Sequence, residues 1–259
     1  MLQAVIFDVD GTLAETERDG HRVAFNRAFA SLDLPYHWDT DTYIQLLKIS
    51  GGVERLTFYL SRNAPTLAEA ERARLAAELH RRKNDFFREL IAAGRIRPRP
   101  GVLSLFDSLH DEGIQLGIAT TGSREWVTLL LNSLLGTNRV LHLRTVITAG
   151  DVRKKKPAPD AYVHALEQLE VTAEHAIAIE DSQNGLLAAK AAGLPCLLVR
   201  SAFCDEPDVQ RADLAVDEFG TLEKPAQILW NPHSIGVDGR ITVETLRSLH
   251  SACSAAGTR

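Results

Sequence analysis

At 259 residues, 45% of them apolar, the chain is long enough for one large domain, or a domain carrying an insertion, around a sizeable core. Its formal charge of −5 argues against charge-driven binding of nucleic acid or an anionic membrane, so an acidic ligand needs a local cationic cluster to draw it in. Cys196, Cys204 and Cys253 are odd in number and lack C-x-x-C spacing, which predicts free thiols in a reducing, cytoplasmic compartment; no apolar run reaches membrane-spanning length, and the first residues show no leader pattern.

In chain order, the apolar run AVIF (4–7) predicts a first strand, followed at once by Asp8 and Asp10, two carboxylates two positions apart. Residues 15–97 have helical periodicity and no convincing strand, and Thr66 with Glu69 has capping-box spacing. Pro98 and Pro100 in RIRPRPG (95–101) stop that helical run. Short apolar runs then recur at 116–120, 145–149, 176–180, 195–199 and 214–216, separated by helix-like segments at 102–111, 125–135, 160–169 and 184–192. Gly113, Gly136 and Gly193 supply the expected helix stops. The alternation predicts an α/β fold with a doubly wound parallel sheet built from 1–14 and 98–225, and an all-helical domain, 15–97, inserted after the first strand. Residues 226–259 read as a C-terminal extension whose final helix starts near Thr242 and packs on the core, with no chemistry of its own.

In open α/β sheets ligands bind beyond the carboxyl ends of the strands, so the residues just past each apolar run are the candidates. The first run delivers Asp8 and Asp10, the second Thr120 and Thr121, and the fourth Glu180 and Asp181, while Lys156 stands in the loop KKKPAPD after the third. Carboxylates, a lysine and hydroxyls converging on one sheet edge suit a hard divalent cation such as Mg²⁺ together with phosphate, the lysine offsetting surplus negative charge. An EF-hand reading of DVDG fails, because its sixth position is Leu13 rather than glycine and its twelfth is Asp19 rather than glutamate. A turn-only role for Asp10-Gly11 is opposed by the lack of strand alternation in the TLAETE that follows, and a mere capping role for Glu180-Asp181 carries little weight beside the other three elements.

FDVDGT (7–12), Thr120, Lys156 followed by PAPD, and EDSQNG (180–185) resemble, in order and spacing, the four motifs of the haloacid dehalogenase superfamily, over residues 1 to about 225. AETERDGHRVAFNRAF, GGVERL (51–56) and ELHRRKNDFF (78–87) are further similar to the CbbY-type sugar-bisphosphate phosphatases. This resemblance implies a haloacid dehalogenase-like core with a helical cap, Mg²⁺ as cofactor and phosphoryl transfer as the chemistry. Asp8 is then the nucleophile that forms an aspartyl-phosphate, and Asp10 the general acid and base. Lys156 and Thr120 hold the phosphate, and the metal is held by Asp8, Asp181 and the backbone carbonyl of Asp10, with Glu180 in support. A carboxylic acid at position 10 separates phosphatases and phosphomutases from dehalogenases of the same superfamily.

Glu17 and His21, at the expected hinge, are placed to face the leaving group, and Lys48, Arg55 and Lys83 with the N–H groups of Gly51 and Gly52 supply a cluster for a second phosphate. GGVERL departs from the CbbY-type pattern, in which a lysine commonly stands at the place of Val53, and so lacks one charge of that cluster. The substrate implied is a small phosphorylated sugar, with xylulose-1,5-bisphosphate the specific expectation. A β-phosphoglucomutase-like phosphomutase shares the motifs, and a noncatalytic phosphosugar-binding protein would need no nucleophile at Asp8. A monomer without nucleic-acid or membrane partners is expected.

Overall fold

The computed structural model describes residues 1–49, 51–203 and 208–256, so Cys204 lies outside the described residues. The chain forms two compact units, one of Met1–Glu15 with Arg97–Arg259 and one of Thr16–Ile96.

In the first unit, strands β1 (Ala4–Phe7), β2 (Gln115–Ala119), β3 (Leu143–Ile147), β4 (Ala176–Glu180), β5 (Cys196–Val199), β6 (Leu214–Val216) and β7 (Ile228–Trp230) form one sheet in the order β3-β2-β1-β4-β5-β6-β7. All neighbours are parallel except β7, which runs antiparallel to β6. AVIF is fully buried because both sheet faces are covered, which is why β1 reads as a continuous apolar run and not as an alternating one. Helices of this unit are α5 (Val102–Asp111), α6 (Arg124–Val140), α7 (Asp160–Leu169), α8 (Gln183–Ala191) and α9 (Val243–Ala256), numbered after the four of the second unit. Ala4 and Ile6 join Tyr162, Ala165, Leu186 and Ala189 of α7 and α8 in one apolar cluster, whereas Phe7 points to the other face, its ring 6.2 Å from that of Phe106 on α5. The sheet is therefore doubly wound.

Register decides where the chemistry emerges. Phe7 pairs with Ile118 on one side and Ile179 on the other, so the chain leaves β1, β2 and β4 at the same edge. Three details differ from the sequence reading. Strand β7 falls within residues read as an extension; three residues at a sheet edge are too short to show a period. Gly136, expected as a helix stop, is a kink with φ +74° inside α6, and helical structure resumes to Val140. The box expected at Thr66 and Glu69 is displaced: the helix starts after Ala68, whose N–H donates to Glu71 Oε2 at 2.9 Å, while Thr66 sits in a preceding turn.

The second unit contains a short π-helical turn (Glu17–His21), α1 (Arg22–Ala30), α2 (Thr40–Leu47), α3 (Gly52–Asn63) and α4 (Glu69–Ala92), and no strand among its described residues. So small a helical body needs dense apolar payload. Aromatic rings provide it: Trp38, fully buried, lies 4.7 Å from Phe25, 5.0 Å from Phe29 and 5.2 Å from Tyr59. Asn26 fixes it by accepting from the Trp38 N–H (2.7 Å) and donating to its carbonyl (2.9 Å).

Candidate active site

Asp8 is the first residue beyond β1, its N–H still donating to Ile179 O at 3.0 Å, and its side chain is buried. Lys156 reaches it from the loop after β3. Two local devices order that loop: Asp151 accepts from both the N–H and hydroxyl of Thr148 (2.8 and 2.6 Å), and Asp160, opening α7, accepts from the Lys154 N–H (3.1 Å). The Lys156 ammonium then donates to Asp8 Oδ1 (2.7 Å), Ala119 O (2.7 Å) and Glu180 Oε1 (2.5 Å), three acceptors from the ends of three strands. Glu180, fully buried, accepts a further bond from the Tyr162 hydroxyl at 2.6 Å. Its neighbour Asp181 is buried too, and Ser182 caps α8 by accepting from the Gly185 N–H at 3.1 Å.

Two glycines are required by contact. A Cβ at Gly11 would sit 1.9 Å from Asp181 Oδ2, and φ of +77° is one that side-chain-bearing residues avoid. A Cβ at Gly185 would meet Glu180 Oε2 at 1.8 Å. The loop after β1 and the start of α8 can close on the acids only as glycines.

Electrostatics follow from this crowding. Burial first, then Glu180 and Asp10 against the opposing pull of Lys156, pushes the Asp8 carboxyl up to about 8. Asp181 is driven upward in the same way, by burial and then by Asp8 and Glu180. Burial opposes the charge on Lys156, but Asp8 and Glu180 together override it and hold the ammonium above its usual range. Asp8, Glu180 and Asp181 bring carboxylate oxygens within 4.8 Å of one another, with Lys156 to offset them. Hard oxygen donors that are close, buried and carry surplus negative charge fit a divalent metal ion.

The other core candidates are placed as follows. Thr120 is buried, its hydroxyl oxygen accepting from the Gly122 N–H at 3.1 Å, and Thr121 is exposed. Asp10 is half-buried, two residues beyond Asp8.

Within the helical unit the structure brings the candidates into two groups. Tyr43 joins Glu17 and Arg55, donating to Glu17 Oε2 (2.5 Å) and accepting from Arg55 (3.2 Å). Arg55 is buried and also donates to Leu46 O (2.9 Å) and Ile49 O (3.3 Å), so it clamps the end of α2, an internal role beyond the one expected. In the second group the His21 ring stacks on Phe87 at 4.0 Å, and the buried Lys83 ammonium lies 4.9 Å over the same ring. Gly51 (φ +93°) and Gly52 form the start of α3, where a Cβ on Gly52 would meet the His80 ring at 2.6 Å; Lys48 and Val53 are exposed.

Tyr162 was not among the sequence candidates, because one tyrosine on an amphipathic helix reads as core. Nor was Arg99, whose buried guanidinium binds Gly11 O, Val199 O, Arg200 O, Asp217 O and Glu218, with Glu15 at 3.6 Å. It ties the loop after β1 to the ends of β5 and β6.

Comparison with known proteins shows the family. The haloacid dehalogenase-like hydrolase family matches residues 2–193, and the chain belongs to that family. Within it the chain is an enzyme of the CbbY type. Protein CbbY of Cereibacter sphaeroides is 42% identical over 223 residues, covering 86% of this chain and 94% of that protein. The crystal structure of a D10N mutant of CbbY from Rhodobacter sphaeroides, in complex with xylulose-(1,5)bisphosphate, matches with a TM-score of 0.70 at 37% identity, covering 84% of this chain and 95% of that one. A putative β-phosphoglucomutase from Thermotoga maritima matches with a TM-score of 0.66 at 26% identity, over 83% and 93% of the two chains.

Proposed function

We propose that this hydrolase is a Mg²⁺-dependent phosphatase of a small phosphorylated sugar, with xylulose-1,5-bisphosphate the specific substrate, acting through an aspartyl-phosphate on Asp8. The observation that carries the reading is the Asp8 carboxylate at the end of β1, held 2.7 Å from Lys156, which itself bridges to Glu180. A structural ion pair needs neither Asp181 nor a glycine-closed loop beside it.

Asp8 attacks phosphorus in line, forming the acyl-phosphate bond as the ester P–O bond breaks, and Asp10 gives its proton to the departing sugar oxygen. Asp10 then takes a proton from the water that attacks the acyl-phosphate, releasing phosphate and restoring Asp8. Lys156 holds the Asp8 carboxylate and offsets charge on the phosphoryl group, and the Thr120 hydroxyl hydrogen is available to a phosphoryl oxygen. Asp8, Asp181 and the Asp10 carbonyl would hold Mg²⁺, with Glu180 supporting Lys156 and Asp181. The ion supplies charge neutralisation between the acids and the phosphate. Recognition of the sugar and its second phosphate is assigned to the helical unit, through Glu17, His21, Lys48, Gly51, Gly52, Arg55 and Lys83. The reading includes a monomeric, cytoplasmic enzyme without nucleic-acid or membrane partners; no helix among the described residues is long and apolar enough to cross a membrane.

A panel of sugar phosphates, assayed for phosphate release with and without a bisphosphate cosubstrate, tests the reading. Release from xylulose-1,5-bisphosphate, stopped by EDTA and restored by Mg²⁺ but not Ca²⁺, is expected. Isomerised product appearing only with the cosubstrate would make the enzyme a phosphomutase, and full activity in metal-free buffer would remove the cation from the account.

A further inference from the structure

Beyond residues 2–193, the stretch that the family model matches, three side chains from three segments converge. Asp213 immediately precedes β6, His233 lies in the loop after β7, and Cys253 is on α9. His233 Nε2 stands 3.7 Å from Cys253 Sγ and 3.8 Å from Asp213 Oδ1, and one donor atom from each residue lies within 4.8 Å of the others. All three are partly buried, within reach of solvent.

The spacing is that of a coordination edge. With Zn–S of about 2.3 Å, Zn–N of about 2.0–2.1 Å and Zn–O of about 2.0–2.2 Å, the ligand atoms of a tetrahedral site lie roughly 3.4–3.6 Å apart. Closing the observed 3.7 and 3.8 Å to those values takes a few tenths of an ångström, within side-chain reach. The carboxylate is already oriented: Asp213 Oδ2 accepts from Lys190 Nζ (2.7 Å) and from the Cys196 N–H (2.8 Å), which turns Oδ1 toward the imidazole. Outer partners of this kind fix a ligand's direction.

A bound cation can displace a thiol proton, so Cys253 can ligate through its sulfur as the thiolate. We propose that Asp213, His233 and Cys253 form a second metal site, of one sulfur, one nitrogen and one oxygen, that takes a borderline divalent cation of the Zn²⁺ class, with water as the fourth ligand. Softer donors than those around Asp8 separate the two sites by metal preference. Bound there, the ion joins α9 and the loop after β7 to the β6 edge.

The test uses the full chain, stripped with EDTA, dialysed, and titrated with Co²⁺ in excess Mg²⁺ so that the acids around Asp8 are occupied. One equivalent should bind with a near-ultraviolet thiolate-to-cobalt band that Zn²⁺ abolishes. Cys253→Ser should lose the band, and His233→Ala should weaken binding at least about 10-fold. Zn²⁺ should raise the Tm of the wild type and of neither variant, and hydrolysis should be unchanged in both. Should Cys253→Ser fail to fold, His233→Ala decides alone. Absence of the band from the wild type, or binding by a folded His233→Ala indistinguishable from wild type, would overturn the site.

Discussion

Arg99→Met gives the sharpest structural test of how the loop after β1 is held. Arg99 is only 4% exposed, and its guanidinium donates to four backbone carbonyls, those of Gly11, Val199, Arg200 and Asp217, and to the Glu218 carboxylate, with Glu15 beside it. Summing hydrogen bonds would overstate the loss, since they share one cation. Removing one partner of a buried ionic network while leaving Glu15 behind costs about 3–5 kcal/mol, and Ser201, 2.8 Å from Glu15, offsets only part of that. At roughly 2–4 °C per kcal/mol for a chain of this size, Tm should fall by roughly 6–20 °C. Because Gly11 O is one of the acceptors and Asp10 precedes it, kcat should fall as well, even at temperatures where the variant is folded. Arg99→Lys keeps the charge but cannot span five acceptors, and should fall between the two. Thermal melts by circular dichroism and steady-state kinetics on each variant provide the readout. A Tm for Arg99→Met within about 2 °C of wild type, with unchanged kcat, would refute the reasoning.

Asp10→Asn should lose roughly 10²–10⁴-fold on a sugar phosphate and much less on p-nitrophenyl phosphate, whose leaving group needs no proton; equal losses on both would remove Asp10 as general acid. Lys83→Ala should lower kcat/KM for the sugar bisphosphate by roughly 10- to 100-fold and barely affect p-nitrophenyl phosphate. Arg55→Ala should lower Tm in addition, because its donors hold Leu46 O and Ile49 O; losses for Lys83→Ala running parallel on both substrates would return that residue to a structural role. Burial, and then Lys83, holds the His80 imidazole below its usual pKa, against the pull of Glu54. The unfolded imidazole takes up its proton near pH ~6.5 and the folded one only lower, so stability is full above that value and lost as pH falls through it. A melting-temperature profile that keeps this acid slope in His80→Gln would contradict the assignment.

The sheet was legible wherever both faces of a strand are covered. AVIF and AIAIE are continuous apolar runs because they lie at the centre of the order β3-β2-β1-β4-β5, and the acids stand out because they follow those runs directly. Lys156 was legible only through its company, since its neighbours Lys154 and Lys155 are the same residue type in an exposed loop. Arg99 was hidden for the opposite reason: in RIRPRP it is one of three arginines, and nothing local distinguishes the buried one. Tyr162 reads as core because its ring is core; its hydroxyl finds Glu180 only through tertiary packing. Asp213, His233 and Cys253 are twenty residues apart in each step, a separation that carries no motif, and only the sheet edge and the last helix bring them together.

The proposed function rests on covalent catalysis by Asp8. Rapid acid quench of the Mg²⁺-loaded enzyme with xylulose-1,5-bisphosphate carrying radioactive phosphorus in its phosphate groups, followed by peptide mapping of the trapped protein, tests it. Label should appear on the peptide containing Asp8, formed and lost at rates that support turnover, and none in Asp8→Asn, whose phosphate release should fall by several orders of magnitude while its fold survives. Phosphate released at the full rate with no label on the protein, or an Asp8→Asn variant that keeps even a tenth of wild-type turnover, would contradict it.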